Sequence, residues 1–288
     1  MSMGMRLHKA LSLAGVLASN PAEFLARVCV ILGARLTAAP GRCGLYSAIS
    51  QDEACRRLGE AMDCEAASFF GESVLTELEV EIAGRMSGVG RGAAIPLAFS
   101  ADRGLARFCY ALCRLKRPRV VIETGVSYGV TSAYILQAME VNGCGKLVSI
   151  DLPPLGANAA VDVGRAIPER VRGRWRLEFG SSRQLLGRLA SELAPVDIFI
   201  HDSLHTYGVM KWELQTVAPF LAEHGVGVCD DIENNPAFKE WLNHERVASG
   251  FAVRAAEKAD SLFGISLLGR KQRAESCAGA DPGLRLSP

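Results

Sequence analysis

The sequence lacks the features that mark several large classes of protein. Its 288 residues include 32 lysines and arginines and 31 aspartates and glutamates, which leaves a formal net charge of only +1. This balance gives no electrostatic field that would attract nucleic acid or another polyanion, so we expect neither as a partner. An apolar stretch at residues 24–39 is interrupted by Arg27 and Arg35 and is too short to cross a membrane, so we expect no transmembrane segment.

Cysteine occurs without a pairing pattern. The chain has 9 cysteines, an odd number, and no CxxC pair, which argues against a disulfide framework and against a zinc site. The apolar run at residues 11–18 is not followed by the small-residue cleavage site of a signal peptide. A hydrophobic fraction of 49% and a charged fraction of 22% are typical of a soluble globular protein. We therefore expect a cytoplasmic protein with reduced thiols.

Two sequence patterns divide the chain. Up to about residue 115, apolar residues recur at helical spacing, whereas beyond it short β-branched runs alternate with helical stretches. The alternation predicts an α/β domain over residues 116–270. The region 1–115 would be a helical cap over the substrate or an oligomerisation surface, which leaves a homo-oligomer possible. Residues 271–288, rich in Gly, Pro, Arg and Ser, predict a disordered tail.

Seven runs are candidate strands of a doubly wound, mostly parallel sheet of the Rossmann-like kind. Five of them are separated by helices and should therefore be parallel. The last two, joined by a short charged connection, should form an antiparallel hairpin that closes the sheet. The predicted strands are 120–123, 147–151, 175–179, 196–202, 226–230, 251–254 and 262–268.

A turn with two glycines follows the first strand. Ligands of open α/β sheets bind at the carboxyl ends of the strands, and here the chain reads ETGVSYGVTS over 123–132. Gly125 and Gly129 would let the backbone approach a ligand, although an ordinary strand-to-helix turn also uses such residues. The GxGxxG pattern of dinucleotide-binding proteins is absent, and the Glu123 carboxylate would repel a pyrophosphate. This favours S-adenosylmethionine, whose sulfonium is positive, over NAD.

Two further strand ends offer polar contacts to such a ligand. Asp151 ends the second strand, where its carboxylate could accept hydrogen bonds from both hydroxyls of a ribose. An acid in this position is as often a turn or cap residue. Ser181 follows the third strand and could contact an adenine, whereas Ser182 is assigned as a helix cap.

The fourth and fifth strands end in acidic residues. Asp202 follows one strand, and Asp230 and Asp231 follow the other. On neighbouring strands the three carboxylates would converge and repel one another unless a cation gathers them. An all-oxygen set suits Mg²⁺, Ca²⁺ or Mn²⁺ better than zinc. The alternative is that one acid caps a helix while the others face water.

Two histidines flank this acidic cluster. His201 lies inside the strand, where a packed ring with a backbone partner is the favoured interpretation. His205 lies in the turn beyond Asp202, and the ordinary pKa of its imidazole suits a general base near neutral pH.

Taken together, these segments resemble class I S-adenosylmethionine-dependent methyltransferases, in particular the branch similar to catechol O-methyltransferase and natural-product O-methyltransferases. The resemblance covers residues 120–268. ETGVSYGVTS is similar to the cofactor loop of that family, and LVSID at 147–151 to its ribose-binding strand end. VDIFIHDSLHTY at 196–207 and VGVCDDIENN at 226–235 are similar to its metal-binding strand ends.

The resemblance implies O-methylation of a small-molecule acceptor with a divalent metal, Mg²⁺ or Mn²⁺. Asp202, Asp230 and Asp231 fall on the metal-ligand positions, and His205 falls where catechol O-methyltransferase carries its catalytic lysine, so that His205 and Asp202 are the candidate catalytic residues. Leu204 stands where many relatives carry an acid, which makes the metal site less charged. The candidate cofactor-binding residues are Glu123, Gly125, Tyr128, Gly129, Thr131, Asp151, Ser181 and Asp202.

Two other functions fit the same architecture. A nucleotide-dependent oxidoreductase would bind NAD through phosphate contacts at the first loop, and the missing GxGxxG pattern argues against it. A non-catalytic binding or scaffold protein would keep the fold while losing the acids at the strand ends, and these acids are intact.

Overall fold

A computed structural model describes residues 44–90, 95–97, 100–152 and 159–269, together with isolated positions between residues 17 and 28. The tail predicted over 271–288 and most of the first 40 residues lie outside the described part. None of the described helices is both long and apolar enough to cross a membrane. The cysteines of the described part are free thiols, and Cys109, Cys113 and Cys229 are buried.

Between residues 44 and 119, the described ranges contain three α-helices before the sheet, and polar caps fix where two of them begin. Helix α1 spans Gln51–Met62, α2 spans Ser73–Met86 and α3 spans Arg103–Lys116. The Ser50 side chain accepts a hydrogen bond from the backbone N–H of Glu53 at the start of α1. Asp102 caps α3 in the same way through the first N–H groups of that helix.

The sheet has seven strands in the order β3-β2-β1-β4-β5-β7-β6. Strands β1 to β5 are parallel, and β7 pairs antiparallel with both β5 and β6. The prediction of a doubly wound, mostly parallel seven-stranded sheet with a closing hairpin is therefore confirmed. The strands are β1 Val120–Thr124, β2 Lys146–Asp151, β3 Trp175–Phe179, β4 Val196–His201, β5 Leu221–Cys229, β6 Val247–Arg254 and β7 Leu262–Leu268.

Helices cover both faces of this sheet. Helices α3 and α4 pack on one face, and α6, α7 and α8 pack on the other. The helices after β1 are α4 Val130–Asn142, α5 Ala159–Asp162, α6 Ser182–Leu193, α7 Tyr207–Val217 and α8 Ala237–Trp241, with 3₁₀ turns at Glu169–Arg174 and Ala218–Phe220. Leu105, Phe108 and Leu112 of α3 are buried in the same core as the apolar residues of α4. Helix α3 therefore packs against the sheet, and the predicted boundary near residue 115 falls at its end.

The strand order creates a crevice at one edge of the sheet. The chain moves outward from β1 to β2 and β3, then returns to place β4 on the other side of β1. Connections therefore diverge above β1 and β4, which is where ligands of open α/β sheets bind. The glycine turn and the acidic strand ends both lie at this edge.

Candidate active site

Gly125 is required by the packing of two strand ends. Its φ of +84° is unfavourable for residues with a Cβ, and an added Cβ would lie 1.9 Å from the carbonyl oxygen of Asp202. Gly125 N–H donates to Ile150 O at 2.8 Å, and Asp202 N–H donates to Thr124 O at 2.8 Å. The glycine turn after β1 thus touches the end of β4 backbone to backbone.

Asp151 holds the glycine turn in place. Its Oδ2 accepts hydrogen bonds from the backbone N–H groups of Val126 at 2.8 Å and Ser127 at 2.9 Å. Burial raises the pKa of Asp151, while these two N–H groups act to lower it. The residue predicted to bind a ribose therefore also organises the loop beside it.

Glu123 lies beneath the turn and is only 1% exposed. Its Oε2 accepts hydrogen bonds from Ser132 and Ser149, each at 2.7 Å. Burial raises the pKa of Glu123 to about 7, although the two serine hydroxyls act in the opposite direction. The carboxyl group is therefore easily neutralised or paired with a positive ligand group.

Three buried oxygens around the turn have no hydrogen-bond partner within the described ranges. They are Glu123 Oε1, Ser127 Oγ and Thr131 Oγ1. Buried polar atoms in proteins are nearly always paired. They lie on the end of β1, the glycine turn and the start of α4, which indicates a surface that can bind polar groups.

Two of the predicted cofactor contacts, Tyr128 and Ser181, also have structural roles. Tyr128 is fully buried, and its hydroxyl donates to the carbonyl of Ile95, so its side chain is committed to packing. Ser181 is the N-cap of α6 and forms a capping box with Gln184. The assignment of Ser182 as the cap was wrong by one residue, because Ser182 is already the first residue of the helix. Gly129 precedes α4 with φ +79°, where it caps the helix.

Asp202, His205 and Asp230 form a compact group at the ends of β4 and β5. One ligand atom from each lies within 4.8 Å of the others. Burial and the Asp231 carboxylate raise the pKa of Asp230 to about 7. Burial raises the pKa of Asp202 as well, and the Asp230 carboxylate adds to the effect. It is energetically unfavourable for both carboxylates to be ionised unless a cation lies beside them.

Asp231, the third predicted metal ligand, lies at the edge of this group, and its carboxylate is among the charges that raise the pKa of Asp202 and Asp230. Its backbone is left-handed, with φ +47°, and its Oδ1 accepts a hydrogen bond from Ser261 Oγ at 2.6 Å. Its Oδ2 lies 3.6 Å from His205 Nε2, at the rim of the group. The histidine takes the place in the cluster that was predicted for Asp231, which stays a candidate ligand only by resemblance.

His205 is neutral in this setting. Burial, followed by the neighbouring His201 ring, lowers the pKa of His205 to about 4. Its Nε2 lies 3.9 Å from Asp202 Oδ1. A neutral imidazole in this position offers a lone pair, which suits either a general base or a metal ligand.

His201 is packed inside β4, as predicted, but its partner is a carboxylate rather than the backbone. Its Nδ1 lies 2.6 Å from Oε2 of Glu213, and both side chains are fully buried. Burial raises the pKa of Glu213, but His201 and the hydroxyls of Ser182 and Thr124 outweigh burial, and the net shift is downward. Glu213 therefore stays ionised in the core.

The sequence interpretation missed Glu213 and Lys258. Glu213 lies on the buried face of α7 with Val209, Met210 and Val217, and a charged residue on an apolar helical face is a usable signal. Lys258 lies in the β6–β7 connection, and its charge lowers the pKa of both Asp202 and Asp230. No sequence pattern pointed to it.

A seven-stranded sheet of this order, with a glycine turn after β1 and an acid ending β2, defines the class I methyltransferase fold. A family model described as a methyltransferase domain matches residues 122–232. Residues 122–232 thus match a methyltransferase domain on that fold, which confirms the predicted fold class and the predicted type of enzyme, a methyltransferase.

Solved structures share the fold at low sequence identity. One is a putative O-methyltransferase from Klebsiella pneumoniae, with 14% identity, a TM-score of 0.51, and coverage of 75% of this chain and 96% of that chain. Another is TomG from Streptomyces achromogenes, an O-methyltransferase of tomaymycin synthesis in complex with S-adenosylmethionine, with 18% identity, a TM-score of 0.50, and coverage of 67% and 89%. No curated protein sequence matches the chain.

Proposed function

We propose that this protein transfers the methyl group of S-adenosylmethionine to a hydroxyl of a small molecule, assisted by a divalent cation. The observation that carries the proposal is the glycine turn after β1, where Asp151 holds the loop and three buried oxygens lack partners. The O-methyltransferases that share the fold support the choice of a hydroxyl acceptor.

The residues around the turn fit this cofactor. S-adenosylmethionine carries an ammonium, a carboxylate and two ribose hydroxyls. We assign the ribose hydroxyls to Asp151 Oδ1, because Asp151 Oδ2 already accepts hydrogen bonds from the loop. We place the ammonium group near the Glu123 carboxylate. Ser127 and Thr131 would supply hydroxyl groups as hydrogen-bond partners. Gly125 and Gly129 would let the backbone approach the cofactor closely. Ser181 and Asp202 would lie at the edges of the site. Tyr128 would contribute through its backbone alone.

The acidic cluster fits a divalent cation. Asp202 and Asp230 supply carboxylate oxygens. Burial and mutual repulsion disfavour their charged forms, and a bound cation would stabilise them. Bound there, a cation would lower the pKa of the acceptor hydroxyl, which would favour loss of its proton to solvent and formation of the nucleophilic alkoxide. The protein's own part would be to orient the acceptor oxygen in line with the methyl group and to keep water away.

The acceptor is proposed to be a small molecule in the cytoplasm. The balanced charge gives no electrostatic attraction to nucleic acid. None of the helices in the described ranges is long and apolar enough to span a membrane. The helical region 1–115 is proposed to shape acceptor choice, and assembly into a homo-oligomer is compatible with it.

Calorimetric titration with S-adenosylhomocysteine, S-adenosylmethionine and NAD tests the proposal. We expect tight binding of S-adenosylhomocysteine and none of NAD. Asp151→Asn should weaken binding by about 1.5 to 3 kcal/mol, roughly 10- to 150-fold, because the charged acceptor is lost while the amide oxygen can still hold the loop.

Asp63→Asn, an exposed residue at the end of α1, is the matched control and should bind normally. Binding of NAD in preference to S-adenosylhomocysteine would point to an oxidoreductase. Absence of binding by all three ligands would point to a scaffold protein.

A further inference from the structure

Glu213 fixes the proton on His201. The Glu213 carboxylate contacts Thr124 Oγ1 at 2.6 Å, Ser203 Oγ at 2.9 Å and His201 Nδ1 at 2.6 Å. An ionised carboxylate can only accept hydrogen bonds, so His201 Nδ1 must donate. This leaves Nε2 as the nitrogen of the His201 ring that is free to contact another group.

That nitrogen of His201 and one nitrogen of His205 both lack a hydrogen-bond partner. His201 is 0% exposed, and neither its Nε2 nor Nδ1 of His205 has a partner within the described ranges. The two rings are perpendicular, with centroids 5.7 Å apart. A proton on His205 Nδ1 would serve both nitrogens, directly or through one bridging water.

This tautomer turns the lone pair of His205 Nε2 toward the acids. Nε2 lies 3.9 Å from Asp202 Oδ1 and 3.6 Å from Asp231 Oδ2. A lone pair facing two carboxylates is repulsive unless a cation stands between them. Asp202, His205 and Asp230 already bring one ligand atom each within 4.8 Å of one another.

We infer that His205 is a metal ligand through Nε2, that the Glu213–His201 pair positions it by fixing its tautomer, and that the site therefore prefers Mn²⁺ or another transition-metal ion to Mg²⁺. A metal-bound histidine commonly donates its second N–H to an outer partner, here a second histidine backed by a carboxylate. Imidazole ligation favours transition metals, whereas Mg²⁺ favours oxygen alone. The inference deepens the proposed function and replaces the predicted role of His205 as general base.

Mn²⁺ binding to the full chain tests the ligand assignment without any activity measurement. We expect calorimetry to show tighter binding of Mn²⁺ than of Mg²⁺, and pulsed electron paramagnetic resonance of the Mn²⁺ complex to show coupling to ¹⁴N. The coupling should disappear in His205→Ala and persist in His224→Ala, which removes an exposed histidine. Mn²⁺ binding without ¹⁴N coupling, or coupling unchanged in His205→Ala, would overturn the assignment.

Two substitutions of His201 test the positioning role. His201→Gln keeps an acceptor near the position of Nε2 and should retain most Mn²⁺ affinity, whereas His201→Leu removes it and should lose roughly 10- to 100-fold. Equal affinity of two folded variants would show that His201 does not position the ligand. If the variants do not fold, the ¹⁴N coupling of the unmodified protein still decides whether His205 binds the metal.

The outcomes separate this inference from the proposed function. If S-adenosylhomocysteine binds but Mn²⁺ does not, Lys258 neutralises the cluster instead, and the metal assignment is overturned while the cofactor assignment stands. If Mn²⁺ binds with ¹⁴N coupling but S-adenosylhomocysteine does not bind, the ligand assignment stands and the proposed function fails.

Discussion

At the scale of single residues, Gly125 links the two halves of the site. Because Gly125 has no side chain, the backbone at Asp202 can approach it closely. The glycine turn and the acidic cluster are therefore in direct contact. A side chain here would disturb both, in addition to the cost of its left-handed backbone.

Gly125→Ala should lower the free energy of unfolding by about 2 to 5 kcal/mol, the sum of a left-handed alanine and an overpacked contact. Binding of S-adenosylhomocysteine should weaken in the variant that remains folded. Gly143→Ala is the matched control, since it has φ +70° but no atom within 4 Å of the added Cβ. It should cost only about 1 to 2 kcal/mol and leave binding unchanged. Equal costs for the two variants would show that the contact with β4 is unimportant.

Sequence reasoning at this scale located strand ends but not side-chain directions. Asp202 and Asp230 meet because β4 and β5 are neighbours, as their position after apolar runs suggested. Asp231 contacts Ser261, because its left-handed backbone turns the chain just after β5 ends. The hydrogen bond of the Tyr128 hydroxyl could not be predicted either, because its partner, the carbonyl of Ile95, lies 33 residues earlier in the chain.

At the scale of elements, one acid ties three helices together. Glu79 of α2 accepts two hydrogen bonds from Arg107 of α3, at 2.7 and 3.0 Å, and one from Tyr134 of α4 at 2.9 Å. Burial raises the pKa of Glu79, but Arg107 and Tyr134 outweigh burial and lower it overall. The charged form of Glu79 is therefore favoured by folding.

Glu79→Gln should lower the free energy of unfolding by about 1 to 2 kcal/mol at pH 7, because charge-assisted hydrogen bonds are lost. Since the pKa is lower in the folded state, this contribution is complete above the unfolded pKa of about 4.3 and is lost as pH falls through the folded value. Urea unfolding of both proteins between pH 7 and pH 3 measures the difference. Glu77→Gln, on the exposed side of the same helix, should have little effect at any pH. A difference that stays constant down to pH 3 would contradict the assignment.

Strands were easier to predict than the buried polar network. Apolar runs such as Val120–Thr124 could be predicted as strands because parallel strands that are covered on both faces need continuous apolar residues. The pairing of Glu213 with His201 joins a helix to a strand, and its geometry depends on how α7 packs. A sequence can show that a buried acid needs a partner, but not which partner the packing supplies.

At the scale of the whole molecule, Asp102 joins distant parts of the chain. It caps α3 through Gly104 N–H at 2.8 Å, and it accepts from Ala256 N–H at 2.9 Å and Glu257 N–H at 2.7 Å in the β6–β7 connection. The side chain is 2% exposed. This contact holds the connection that carries Lys258 against the helices that precede the sheet.

Asp102→Ala should lower the free energy of unfolding by about 2 to 4 kcal/mol, because several N–H groups lose a charged acceptor at once. Hydrogen exchange should rise first at residues 255–261. Ser50→Ala removes the local cap of α1, so it should cost about 1 kcal/mol and leave exchange in that connection unchanged. Unaltered exchange at 255–261 in Asp102→Ala would rule out the proposed anchoring role.

The close approach of Gly125 to Asp202 also bears on how related sequences should be compared. Any descendant of this chain that keeps the β1–β4 pairing needs a glycine at this position, whether or not it still has an enzymatic activity. The glycine is therefore a marker of ancestry and fold. Ser127 and Thr131, whose buried hydroxyls have no partner within the described ranges, have no comparable packing reason to persist. A relative that retains the glycine but lacks those hydroxyls would be expected to keep the fold and to have lost binding of the ligand.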